Sequence, residues 1–86
     1  MRITGGRAKG RQLASPKGYD IRPSSDLVRQ AIFNLIGHEM NSLSVLDLFA
    51  GTGSLGIEAL SRGAGRALFI DRSDQAIRLI KKNLIL

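Results

Sequence analysis

Val45-Leu46-Asp47-Leu48-Phe49-Ala50-Gly51-Thr52-Gly53-Ser54-Leu55-Gly56 decides the fold of this chain. It opens as an apolar run of strand length, breaks at two glycines and continues into a helical pattern with Leu55, Ala59 and Leu60. A strand that ends in a glycine-rich turn and feeds a helix N-terminus is a nucleotide-binding device. Glycine lets the backbone approach a ligand closely, and the first helical N–H groups point outward at it. Gly51-x-Gly53-x-x-Gly56 fits the dinucleotide fingerprint, a pattern of low specificity by itself.

Two carboxylates sharpen it. Asp71 ends the next apolar run, 20 residues after Gly51, where a ribose-binding acid belongs. It does not separate NAD from other adenosine cofactors, which share the ribose diol. Asp47 does more. A carboxylate inside the strand is costly to desolvate without a donor or cation nearby, and it would repel a pyrophosphate at the turn. S-adenosylmethionine (SAM) has no phosphate and carries an ammonium and a sulfonium at its methionine end. The acid therefore favours SAM over a dinucleotide.

Outward from the bend, strand one runs from about Ser44 to Phe49 and a helix continues to about Ser61. Gly63 and Gly65 surround the helix exit. Arg66-Ala67-Leu68-Phe69-Ile70 reads as a second strand, apolar toward its end like a parallel strand covered on both faces. Ser73 caps a last helix with Ala76, Ile77, Ile80 and Leu84 on one stripe. Together these make one right-handed βαβ unit and a following helix. Gly56 is expected to serve close helix–strand packing, and Glu58, Arg62 and Arg66 read as solvated faces. Upstream, Leu27, Val28, Ala31, Ile32, Leu35 and Ile36 predict a helix with one buried apolar face. Ser24 or Ser25 caps it, Asp26 suits its first turn and Gly37 stops it. His38 opens a polar connector and is expected to be solvated. Arg2-Ile3-Thr4 and Arg11-Gln12-Leu13-Ala14 flank a Gly5–Gly10 loop as a β-hairpin. Such a hairpin must pack on something or stay mobile, because isolated hairpins are marginal in water. Pro16 to Ile21 is an irregular connector, and Pro23 forces Arg22 into extended backbone.

Eighty-six residues allow one small domain. The chain has no cysteine, hence no disulfide framework and no thiolate metal site, and no metal ligand set is evident. No apolar run approaches the roughly 20 residues of a membrane span, and no secretion signal is evident, so a cytoplasmic, membrane-free location is expected. The net charge of +6 is unevenly placed: residues 1–30 carry a net +5. Such asymmetry favours a polyanionic partner. Arg2, Arg7, Lys9 and Arg11 in the hairpin are the candidate contacts to such a polyanion.

The block Asp47 to Ala64 resembles the first SAM-binding motif of the bacterial small-subunit (16S) ribosomal RNA guanine-N2 methyltransferases. The resemblance extends to Met1-Arg2-Ile3-Thr4-Gly5-Gly6, to Lys9-Gly10-Arg11 and to the segment from Arg22 to Asn34, in that family's order and spacing. It implies an α/β, Rossmann-like class I SAM-dependent methyltransferase fold. Of that fold the chain holds the N-terminal hairpin extension, one helix and the first βαβα unit. Residues 1–21 would be the basic extension and connector, and 22–86 the truncated N-terminal half of the SAM-binding domain. The resemblance implies SAM as cofactor and ribosomal RNA or the small ribosomal subunit particle as partner, so that Arg2, Arg7, Lys9 and Arg11 would be RNA contacts. Asp47, Phe49, Ala50, Gly51 and Gly53 would line the methionine side, Asp71 the ribose hydroxyls, with Arg22 and Ser24 over the methionine end. Phe49 is expected to be core as well.

The family's catalytic Asp/Asn-Pro-Pro-aromatic tetrapeptide is absent: the only prolines are Pro16 and Pro23. No catalytic residue is therefore assigned, and the 86 residues alone are expected to be inactive and to self-associate through uncovered apolar surface. Three rivals remain: a fragment of a DNA amino-methyltransferase, a dinucleotide-binding βαβ unit of an oxidoreductase, and a non-enzymatic RNA-binding module.

Overall fold

The computed structural model describes residues 1–14, 26–37, 40–48 and 50–85. The expectations for Arg22, Ser24, Ser25, His38 and Phe49 and for the 16–21 connector fall outside these residues. Five elements follow one another: α1 (Asp26–Ile36), β1 (Ser44–Leu48), α2 (Ser54–Ser61), β2 (Arg66–Ile70) and α3 (Asp74–Asn83). The strands pair in parallel with Ser44 opposite Arg66, Asp47 opposite Phe69 and Leu48 opposite Ile70. The β1–α2–β2 order is the crossover that the alternation of apolar runs and glycine turns predicts. Ser73 caps α3 as expected, its hydroxyl accepting from the Ala76 N–H at 3.3 Å.

Helix α2 lies on one face of the strand pair, and Gly56 permits the approach. A Cβ there would stand 2.7 Å from the Phe69 ring. Ile57 and Ala59 are fully buried, and Ala76 and Ile80 of α3 are buried as well. The opposite sheet face is open. Leu46, Leu48, Leu68 and Ile70 are exposed, so β2 is not covered on both sides in this chain. Parallel strands are normally buried on both faces.

The N-terminal segment folds back as predicted, but it is paired by a single antiparallel bridge, Arg2 to Gln12, rather than by a full ladder. Ile3 and Leu13 are buried against Ile57, with Met1, Ala8 and Phe69 around them. Burying two branched side chains contributes about 1.5–3 kcal/mol each and holds the arm on α2.

Helix α1 has the expected bounds, but its predicted buried face points outward. Leu27, Val28, Leu35 and Ile36 are exposed, Leu35 by 88%, and the inward residues are Arg29 and Phe33. The inward face is set by Glu58. That residue, expected on a solvated face, is fully buried on α2 and draws Arg29 to itself. A buried carboxylate needs a cation more than a leucine needs cover. Among the described residues, no helix is long and apolar enough to cross a membrane.

Candidate functional site

The bend between β1 and α2 is built from left-handed glycines. Gly51 has φ +61° and Gly53 has φ +81°, a region that side chains with a Cβ seldom adopt. The N–H of Gly53 donates to the Ala50 carbonyl at 2.8 Å, closing the turn. Ala50 follows β1 and is buried, with its N–H on the Ile70 carbonyl at 2.9 Å. The bend thus sits at the C-terminal ends of both strands, where open α/β sheets bind ligands.

Asp47 and Asp71 flank it. Asp47 is buried, and its Oδ2 accepts from the Gly56 N–H at 3.0 Å, in the first turn of α2. Burial raises its carboxyl above the usual value, with the Asp71 charge adding to this and the Gly56 N–H opposing it. Asp71 is held below the usual value by the Ser73 N–H and the Gly51 N–H, which reach its two oxygens at 2.9 Å each. The two acids differ in role. Asp71 is already ionised and fixed, whereas Asp47 is a carboxylate whose negative charge lacks full compensation. A cation at the bend would supply it.

Sequence reasoning missed two residues at this site's edge. Asn83, near the end of α3, is buried. Its Nδ2 donates to the Thr52 carbonyl at 3.0 Å and to the Ala14 carbonyl at 3.2 Å, and its Oδ1 accepts from the Ala14 N–H at 2.7 Å. The other is Glu58. Its Oε1 accepts from the Thr4 N–H at 2.8 Å and from Arg29 Nε at 2.9 Å. Its Oε2 accepts from the Gly5 N–H at 2.9 Å and from Arg62 Nε at 2.8 Å. Burial pushes the Glu58 carboxyl up, but the Thr4 N–H and the Arg62 and Arg29 guanidiniums outweigh it and leave it lowered. Arg29 also donates to the Arg2 carbonyl and to Asp26. Arg62, another expected surface residue, lies with its guanidinium 5.1 Å from the centre of the Phe33 ring. Arg66 is exposed as expected. The only sequence signal for Glu58 was its place on an otherwise apolar and small helix, SLGIEALS. For Asn83 there was none.

The arm presents its charge on the side of α2. Arg2, Arg7, Lys9 and Arg11 are all exposed. Arg7, Ala8, Lys9 and Arg11 line a groove of about 380 Å³ with Leu60 and Ser61. Ser61 anchors the loop, its carbonyl accepting from the Arg7 N–H at 2.7 Å and its hydroxyl from the Ala8 N–H at 2.9 Å.

Comparison with known proteins locates this arrangement in a family. The chain is 49% identical over 84 residues to YlbH of Bacillus subtilis (strain 168), named as a candidate rRNA methyltransferase. The match covers 98% of this chain and 46% of that protein. It is 40% identical to ribosomal RNA small subunit methyltransferase D of Escherichia coli (strain K12), covering 98% of this chain and 42% of the relative. The solved structure of the Escherichia coli protein yhhF, described as a candidate methyltransferase, superposes with a TM-score of 0.85 at 39% identity. That superposition covers 98% of this chain and 45% of yhhF. The chain thus spans less than half the length of these relatives. It has the partial α/β, Rossmann-like unit that the sequence predicts, and its methyltransferase relatives agree with the resemblance. The family model described as conserved hypothetical protein 95 matches residues 1–86, and the chain belongs to that family.

Proposed function

We propose that this chain is the cofactor-binding portion of a SAM-dependent methyltransferase that modifies the exocyclic N2 of a guanine in small-subunit rRNA. One observation carries the cofactor reading: carboxylates already take one backbone donor of the bend and one of the first turn of α2. Asp71 takes the Gly51 N–H and Asp47 takes the Gly56 N–H. A pyrophosphate needs those donors free and would meet two negative charges. A ligand with a cationic end and a ribose diol meets neither objection. Asp47 would hold the ammonium and sulfonium end, and Asp71, with lone pairs to spare, the ribose hydroxyls. Gly51, Gly53 and Ala50 would form the floor, with Phe49, Arg22 and Ser24 completing the methionine side.

When bound, SAM supplies a methyl group made electrophilic by its sulfonium. The residues of this chain bind and orient it, a contribution of position rather than of acid–base chemistry. The exposed Arg2, Arg7, Lys9 and Arg11 would neutralise rRNA phosphates beside α2 and hold the substrate, whose target base must leave its stack to react. The rRNA names of the relatives support this partner.

Calorimetry on the chain tests the cofactor. S-adenosylhomocysteine, the demethylated product, should bind and NAD should not; binding of NAD alone refutes the reading. A chimera completed with the downstream half of the Escherichia coli relative tests the substrate. It should transfer labelled methyl to guanine N2 of small-subunit rRNA, and label on DNA adenine would point to the amino-methylating DNA enzymes instead.

A further inference from the structure

Asn83 joins two segments that are far apart in sequence. It holds both polar backbone groups of Ala14, in the arm, and the carbonyl of Thr52, the residue between the two bend glycines. Thr52 is itself buried, so its carbonyl has little water to fall back on. A planar amide satisfied on three sides has no rotamer freedom left. Displacing the arm therefore disturbs the bend, and displacing the bend disturbs the arm. The arm's other end is pinned to α2 by Glu58 through the Thr4 and Gly5 N–H groups. The helix that begins at the bend is thus gripped by the same arm at its middle, through Glu58, and at its end, through Ser61.

We infer that Asn83 is a positioning residue through which the N-terminal arm and the Gly51–Gly53 bend hold each other in place, so that ordering one strengthens ligand binding at the other. This rests on the cofactor reading above only for the identity of the ligand. The mechanical link stands on the amide geometry. Its consequence is positive, reciprocal coupling between cofactor at the bend and polyanion at the arm, as linkage requires.

Amide hydrogen exchange measured by NMR on the ligand-free chain tests the link. In wild type the Gly53 N–H is protected by its bond to Ala50. Asn83→Asp keeps the acceptor for the Ala14 N–H and loses both donations. It should speed exchange at Gly53 by about tenfold, the worth of roughly one buried hydrogen bond, while Ala14 stays protected. Unfolding would speed both sites together, so this pattern is specific. Ile3→Ala, which loosens the arm, should also speed Gly53, and its effect should shrink when combined with Asn83→Asp, the remainder passing through Ile57 and Glu58 of α2. Gly53 exchanging at the wild-type rate in Asn83→Asp, or the two effects simply multiplying, would overturn the link.

S-adenosylhomocysteine then tests the coupling. It should slow exchange at Ala14 in wild type and leave Ala14 unchanged in Asn83→Asp. Binding without any response at Ala14 in wild type overturns the coupling. No binding by the wild-type chain counts against the cofactor reading instead, and the ligand-free arm still decides the role of Asn83.

Discussion

Glu58 and Asp47 are both buried carboxylates, and their surroundings treat them in opposite ways. Glu58, at the junction of arm, α1 and α2, is met by two backbone N–H groups and two guanidiniums and lies below its ordinary value. Asp47, at the bend, is met by the Gly56 N–H and lies above its ordinary value. The first arrangement is complete and holds the fold together. The second leaves charge uncompensated beside a glycine bend, which weakens the empty fold and suits a cationic ligand. On the proposed reading, the difference separates a structural acid from a binding acid by counterion rather than by depth.

The largest expected effect breaks the structural half of this contrast. Glu58→Ala leaves the buried Arg29 without its main anion and the Thr4 and Gly5 N–H groups without an acceptor. A loss of about 3–5 kcal/mol is expected, read from urea unfolding. Pairing it with Arg29→Met should recover only part of that loss, because the two backbone donors stay unsatisfied.

The binding half is tested by Asp47→Asn, which should lower affinity for S-adenosylhomocysteine by about tenfold or more in calorimetry, as loss of a charge-assisted contact implies. The same variant should raise the melting temperature of the empty chain at pH 7. Removing a charge that the folded state disfavours stabilises that state. A variant that loses both affinity and stability would place Asp47 with Glu58 as a structural acid.

The smallest effect sharpens the comparison through pH. Glu58 lies below its ordinary value of 4.5, so the unfolded chain takes up its proton first as pH falls. Its contribution is present above that value and lost as pH drops through the lowered one. Asp47 lies above 3.8 in the folded state and runs the other way: its ionisation weakens the fold above its raised value, and protonation relieves this. Melting scans from pH 7 to 3 should therefore show the few-degree advantage of Asp47→Asn shrinking toward acid. Wild type should then lose stability as pH falls below 4.5 and through the lowered Glu58 value.

Helices α1 and α3 show how far residue patterns reach. In α3 Ala76 and Ile80 of the predicted stripe are buried and Lys81 and Lys82 are exposed, as periodicity predicts, whereas Ile77 is half-buried and Leu84, at the helix end, is exposed. In α1 an equally regular stripe faces out, because periodicity counts apolar residues and is blind to a buried carboxylate on another element. The expectation of a doubly covered β2 met an open face for a related reason. An apolar run says that a surface is suited to cover, not that this chain supplies it. The open face is a groove of about 450 Å³ along Ser44–Leu46 and Arg66–Leu68.

From the residues alone came the β1–α2–β2 order, the Ser73 cap of α3, the glycine bend and the two acids beside it. These are local: each depends on backbone propensity, a turn requirement or spacing within a few residues. Only the tertiary structure decided that Glu58 is the buried anchor, that Arg29 turns α1 around, and that Asn83 ties the arm to the bend. Each of those depends on which distant donor a buried polar atom finds, and partners such as Thr4 and Gly5 for Glu58, or Ala14 and Thr52 for Asn83, are brought together by folding rather than by sequence spacing.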